Sequence, residues 1–146
     1  MTTPSIQPLP PAEILAPWLE AAKRAAEKAH APYSNFRVGA ALVLADGRII
    51  RGCNIENASF GVTLCAERVA AAAAIAAGDR HWRAIVIVSP TGVSPCGACR
   101  QFLSEFAPTL AVFYGRLDGP ASDLVTARLD ELLPDQMKLG GRTVIP

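Results

Sequence analysis

Charge of either sign is scarce in this 146-residue chain, and nearly balanced: 14 Lys+Arg against 13 Asp+Glu leave a formal net charge of +1. A domain built to neutralise phosphates carries a basic excess, so the balance argues against a nucleic-acid partner. Long apolar runs are missing too. The longest, Val69–Ala77, is nine mostly alanine residues, under half of the roughly 20 that span a bilayer, so no membrane partner is expected. Cysteine is confined to four positions, too few for a disulfide scaffold. Residues 1–11, MTTPSIQPLPP, lack the positive start and apolar stretch of a secretory signal and read as a loose leader. Repeats, linkers and charge runs are absent. The expectation is one cytoplasmic domain over 1–146, whose reduced thiols serve a metal or catalysis rather than bridges. With 51% hydrophobic residues, disorder is excluded.

What is present is a patterned chain. Leu15, Trp18, Leu19, Ala22, Ala26 and Ala29 recur at helical spacing between Pro11 and His30, with Glu20, Lys23, Arg24, Glu27 and Lys28 opposite. An amphipathic helix is predicted there, with Pro17 in its first turn or splitting it. Val38–Ala45 and Arg48–Ile55 flank Asp46-Gly47, a strong hairpin signal. Leu64 to Ala77 predicts a helix closed by Gly78. Ala84–Ser89, AIVIVS, predicts a strand buried on both faces. Gly97–Phe106 should be helical, Thr109–Tyr114 a strand, and Asp123–Leu133 a last helix stopped by Pro134. The order α-β-β-α-β-α-β-α implies an α/β fold with helices on both faces of a central, mainly parallel sheet, entered by one antiparallel hairpin. Ligands bind such sheets beyond the strand carboxyl ends, and residues 89–96 leave one.

Three cysteines fall at predicted helix starts: Cys65 in LCAER, and Cys96 and Cys99 in SPCGACR. A helix N-terminus favours the thiolate, the form that binds metal. Taken alone, C-x2-C fits a redox dithiol, half of a structural zinc site, or two of several catalytic ligands. Cys65, Cys96 and Cys99 form a three-ligand set, and a catalytic zinc site keeps three protein ligands and an open position for water. Glu67, two residues after Cys65, is placed to reach that water. A C-x-E followed by P-C-x-x-C is a signature of zinc nucleobase deaminases.

The chain resembles the small homotetrameric cytidine deaminases. The resemblance rests on FRVGAALV at Phe36–Val43, GCNIENASFG at Gly52–Gly61, CAERVA at Cys65–Ala70 and SPCGACRQ at Ser94–Gln101. It runs from about Pro32 to Phe106, with a weaker echo at Leu132–Pro134. It implies a three-layer α/β/α cytidine-deaminase-like fold with a central mixed sheet. It also implies one Zn²⁺ per chain on Cys65, Cys96 and Cys99. The implied activity is hydrolysis of cytidine and 2′-deoxycytidine to uridine and 2′-deoxyuridine plus ammonia, in pyrimidine salvage. There, zinc hydroxide attacks C4 while Glu67 shuttles protons to N3 and to the leaving ammonia. Three thiolates on a dication leave a net −1, which Arg68 and the helix N-termini would offset. By the same resemblance Asn54 and Glu56 hold the ribose hydroxyls, Phe36 packs against the base, and the Ala66 backbone meets the pyrimidine edge. Phe60 would lie at a subunit boundary of a homotetramer whose active sites are near the interfaces. Where relatives place an aromatic reaching a neighbouring subunit, this chain has Met137.

Other readings compete. Cys53 as a fourth ligand would make a closed structural zinc module, but its place in a strand favours a packed thiol, and Glu67 has no use in a closed site. A blasticidin-type deaminase is the alternative enzyme, with the NIEN segment favouring a ribose-bearing substrate. His30 and His81 read as surface or capping residues.

Overall fold

The computed structural model describes residues 10–139. The expected leader, except for Pro10 and Pro11, and the tail from residue 140 lie outside it. The first helix, α1 (Ala12–Ala26), buries Leu15, Trp18, Leu19, Ala22, Ala25 and Ala26. Pro17 lies inside it without splitting it, in the second turn. The proline removes one backbone donor, and the buried apolar stripe holds the helix together across the gap. The helix stops short of the predicted His30. Lys28 and Ala29 already bond back three residues instead of four. His30 then pairs with strand-like backbone, donating to Asn54 O at 3.0 Å and accepting from Glu56 N at 2.7 Å.

The hairpin follows as predicted: β1 (Gly39–Leu44) runs antiparallel to β2 (Ile49–Cys53), with Gly39 opposite Cys53 and Val43 opposite Ile49. Gly47 takes φ +92° in the turn, where a side chain would strain. After a short 3-10 turn at Phe60–Val62 comes α2 (Ala66–Ala76). Its end is a Schellman closure: Gly78 has φ +85°, Gly78 N donates to Ile75 O, and Asp79 N to Ala74 O. Next, β3 (Trp82–Ser89) crosses through α3 (Gly97–Phe106) to the parallel strand β4 (Ala111–Arg116).

The predicted helix over Asp123–Leu133 is a different structure. A 3-10 turn at Ala121–Asp123 leads to a strand, β5 (Val125–Arg128), antiparallel to β4, and only Leu129–Leu132 forms a helix, α4. Without β5 the β4 edge would present unpaired backbone groups, and the β-branched Val125 and Thr126 suit the ladder better than a helix. The sheet order is β2-β1-β3-β4-β5. It is mixed rather than mainly parallel, because only β3 and β4 run together.

Two apolar layers sandwich this sheet. Leu15, Trp18, Leu19 and Ala22 of α1 pack on Ala41, Val43, Val86, Val88 and Phe113. The alternate strand residues Ala40, Leu42, Ile85, Ile87 and Val112 face Ala66, Ala70, Ala71 and Ala74 of α2, together with Leu103 of α3. The alternation is the period-two geometry of strands buried on both faces.

Candidate functional site

Both α2 and α3 begin at the end of the sheet where β3 delivers its carboxyl terminus. Cys65 and Cys96 are their N-cap residues, in extended conformations, and neither side chain is used to cap its helix. Cys99 follows in the first turn of α3 and is fully buried. The Cys65 and Cys96 sulfurs are 4.0 Å apart, and the three sulfurs all lie within 4.8 Å of one another. A tetrahedral zinc with Zn–S bonds of about 2.3 Å holds sulfurs about 3.8 Å apart, so the donor set fits with small side-chain movement.

The electrostatics suit a cation. Cys65 titrates down at about 5, held there by hydrogen bonding with Cys99 and by the Arg68 guanidinium. The same bond and burial push Cys99 the other way, so the metal-free pair retains a proton that a cation would displace. Arg68 Nη2 donates to Cys65 Sγ at 3.6 Å and to Thr63 O at 3.2 Å. Its Nε is buried with no partner among the described residues, which suits a neighbour carrying excess negative charge. The zinc set expected from the sequence therefore fits these residues. Cys53 stays apart from the sulfur cluster. It pairs with Gly39, whose missing side chain would point into α1, and it is half-buried rather than packed in the core.

A cavity of about 390 Å³ opens beside the sulfurs. Phe36, Asn54, Glu56, Ala66 and Glu67 line it, together with Cys65 and Cys96. Glu67 is only 5% exposed. Burial raises its carboxyl to about 7, with the Cys65 charge adding to the shift and Arg68 opposing it. Asn54 Oδ1 accepts from Val38 N at 2.8 Å and its Nδ2 donates to Phe36 O at 2.7 Å. Glu56 Oε1 accepts from Tyr33 N at 2.9 Å and Ser34 N at 3.2 Å. Hydrogen bonding from Ser34 leads the causes that keep its carboxyl below the ordinary value.

Two residues singled out in the sequence do not line this cavity. Phe60 is 72% exposed, edge-on to Tyr33 at 5.7 Å, and does not line the cavity of its own chain. Met137 is exposed near the end of the described segment. Conversely, Ser34, Val38, Thr63, Ile87, Val93 and Ser94 line the cavity unannounced. Ser94 and Val38 belong to the SPCGACRQ and FRVGAALV motifs and Ser34 lies just before the latter, whereas Ile87 and Val93 carry no chemical signal.

Residues 13–115 match the family model described as the cytidine and deoxycytidylate deaminase zinc-binding region. A cytidine deaminase from Halalkalibacterium halodurans is 48% identical over 119 residues, 80% of this chain and 88% of that protein. The crystal structure of a cytidine deaminase from Burkholderia pseudomallei superposes with a TM-score of 0.79 at 48% identity, covering 84% of this chain and 98% of that one. A Blasticidin-S deaminase from Bacillus cereus is 34% identical over 128 residues, 80% of this chain and 89% of that protein.

Proposed function

Because the chain belongs to the cytidine and deoxycytidylate deaminase zinc-binding family, we propose that it is the zinc-dependent hydrolase that converts cytidine and 2′-deoxycytidine into uridine and 2′-deoxyuridine plus ammonia. The single observation that carries this is the buried Glu67 carboxylate lining the same cavity as Cys65 and Cys96, two of three sulfurs that converge within 4.8 Å.

Zinc, held by Cys65, Cys96 and Cys99, would supply a Lewis acid that makes water nucleophilic near neutral pH. The chain's own residues do the rest. Glu67 takes a proton from water, passes it to pyrimidine N3, and later delivers a proton to the departing amine. A carboxyl poised near 7 is suited to act as base and then acid. Phe36 presents an aromatic wall for the base. The Ala66 backbone borders its edge, and Asn54 and Glu56 offer polar atoms to the sugar. Arg68 stabilises the thiolate of Cys65 and tempers the charge of the centre.

We place the protein in pyrimidine salvage, as a cytoplasmic homotetramer whose active sites lie near subunit interfaces. Exposed Phe60, Val62 and Leu64, at 72%, 59% and 43%, sit in the chain leading to Cys65 and support that assembly. Free thiols that bind zinc suit a reducing compartment. Among the described residues no helix is long and apolar enough to cross a membrane.

The alternative reading, a blasticidin-type deaminase, draws on the Bacillus cereus relative; the polar pair Asn54 and Glu56 favours the nucleoside. An absorbance assay on cytidine, deoxycytidine, blasticidin S, adenosine and single-stranded DNA tests this, with native mass measured alongside. Turnover of the first two is expected. Glu67→Gln should keep zinc and fold yet lose kcat by at least about 10²–10⁴-fold. A near-normal rate in that variant would remove the proton-shuttle role, and a fully active monomer would remove the shared site.

A further inference from the structure

The three sulfurs are held unequally. Cys99 is fixed by complete burial in the first turn of α3, and Cys65 by the Arg68 guanidinium. Cys96 has neither support. It is exposed, and among the described residues its sulfur has one hydrogen-bonding partner, that of Cys65. Its position is therefore inherited from the backbone that carries it, Ser94-Pro95-Cys96.

That backbone is gripped by one side chain. Arg100 sits one turn further along α3, and its three donor nitrogens reach three acceptors. Nε donates to Pro95 O at 2.7 Å, Nη2 to Ser94 Oγ at 2.9 Å, and Nη1 to Leu132 O at 2.8 Å. The Arg100 backbone N also donates to Cys96 O at 3.0 Å. Residues 94, 95 and 96 are thus all anchored to Arg100, and the third arm ties them to the end of α4. Pro95 is fully buried, so this segment has little freedom to settle otherwise. A planar fork makes these divergent bonds at once; a lysine ammonium, a compact point charge on a flexible stem, does not.

We propose that Arg100 is a positioning residue for the metal site: it sets the Cys96 sulfur and the Ser94 wall of the cavity, and couples both to the α4 segment. The inference rests on the zinc-hydrolase reading and deepens it. Groups that orient ligands from outside the metal shell typically change metal affinity or activity by about 10–100-fold when replaced.

The test compares zinc release to a chromogenic chelator in the parent protein, Arg100→Lys and Leu19→Ala. Leu19 belongs to α1 and is buried against the opposite face of the sheet, so its variant reports what general loosening does to the site. Arg100→Lys should release zinc about 10–100-fold faster than the parent, with kcat reduced and KM within a few-fold. Leu19→Ala should lose thermal stability while releasing zinc close to the parental rate. Parental release from Arg100→Lys overturns the proposal, and so does equally fast release from a Leu19→Ala protein with the same drop in Tm. Should Arg100→Lys not fold, Ser94→Ala removes one acceptor and carries the test; faster release is expected, and an unchanged rate overturns it. Absence of zinc or of cytidine turnover in the parent would count against the functional reading instead.

Discussion

A single methyl group added at Gly52 would separate the stability of α2 from its role in holding the site. Gly52 lies in β2 directly beneath the first turns of α2. A Cβ built there would be 2.5 Å from Ala70 N and nearer still to Ala66 O, against 3.4 Å or more in ordinary contact. Both opposing atoms are helix backbone, so no side chain can swing aside. The helix must lift by about 1 Å. Overpacking of this kind costs about 1–3 kcal/mol, and for a domain of this size each kcal/mol lowers Tm by about 2–4 °C. Because Cys65 and Glu67 ride on the same turn, the lift also displaces them. A misplacement of about 1 Å is enough to reduce catalysis by about 10²-fold. Calorimetry and zinc-saturated kinetics on cytidine would measure both effects in Gly52→Ala. The comparison is Gly39→Ala, where the added methyl meets Ala22 O and Ala26 N of α1. That helix carries no candidate site residue, so Tm should fall by as much or more with a much smaller change in kcat. A Gly52→Ala protein with parental kcat and Tm would refute the reasoning, as would equal kcat losses in the two variants.

Cys99→Ala should drop zinc content from about one per chain to near zero by elemental analysis, since two remaining thiolates make an incomplete set. Glu56 gives a pH prediction. Its folded carboxyl titrates below the ordinary 4.5, so its contribution is fully present above about that pH and is lost as pH falls through the lower folded value. Glu56→Gln should therefore show a constant Tm deficit from about pH 8 to 5 that shrinks in more acidic buffer; a deficit that grows on acidification would reverse the assignment.

The hairpin, the buried strand at Ala84–Ser89 and the helix at Gly97–Phe106 were legible because each is dictated locally, by Asp46-Gly47, by an unbroken β-branched run and by the spacing behind Cys96. Strand β5 was not. It is four residues long, and Leu129 and Leu132 behind it continue a helical spacing; only the waiting edge of β4, which the chain reaches through tertiary folding, settles the matter. The shortened α1 has a similar cause, because His30 is drawn off by Asn54 and Glu56, more than 20 positions away. At the site, Cys65, Glu67, Cys96 and Cys99 could be read because chemistry and local spacing coincide. Ile87 could not, since the sheet brings it there, nor could the grip of Arg100, whose place beside Cys96 is local but whose acceptor Leu132 O is 32 positions away.

The anchoring of Asn54 and Glu56 to backbone bears on selectivity between sugars. A site rejects a missing hydroxyl strongly only when the loss strands a buried polar group. Here the Asn54 amide already satisfies Phe36 O and Val38 N, and Glu56 already accepts from two backbone amides. Removing the 2′-hydroxyl leaves none of them orphaned. The penalty then falls to the net worth of one hydrogen bond, about 0.5–1.5 kcal/mol. On the proposed sugar contacts, a pocket wired in this way would recognise that a sugar is present and discriminate only weakly between ribose and deoxyribose.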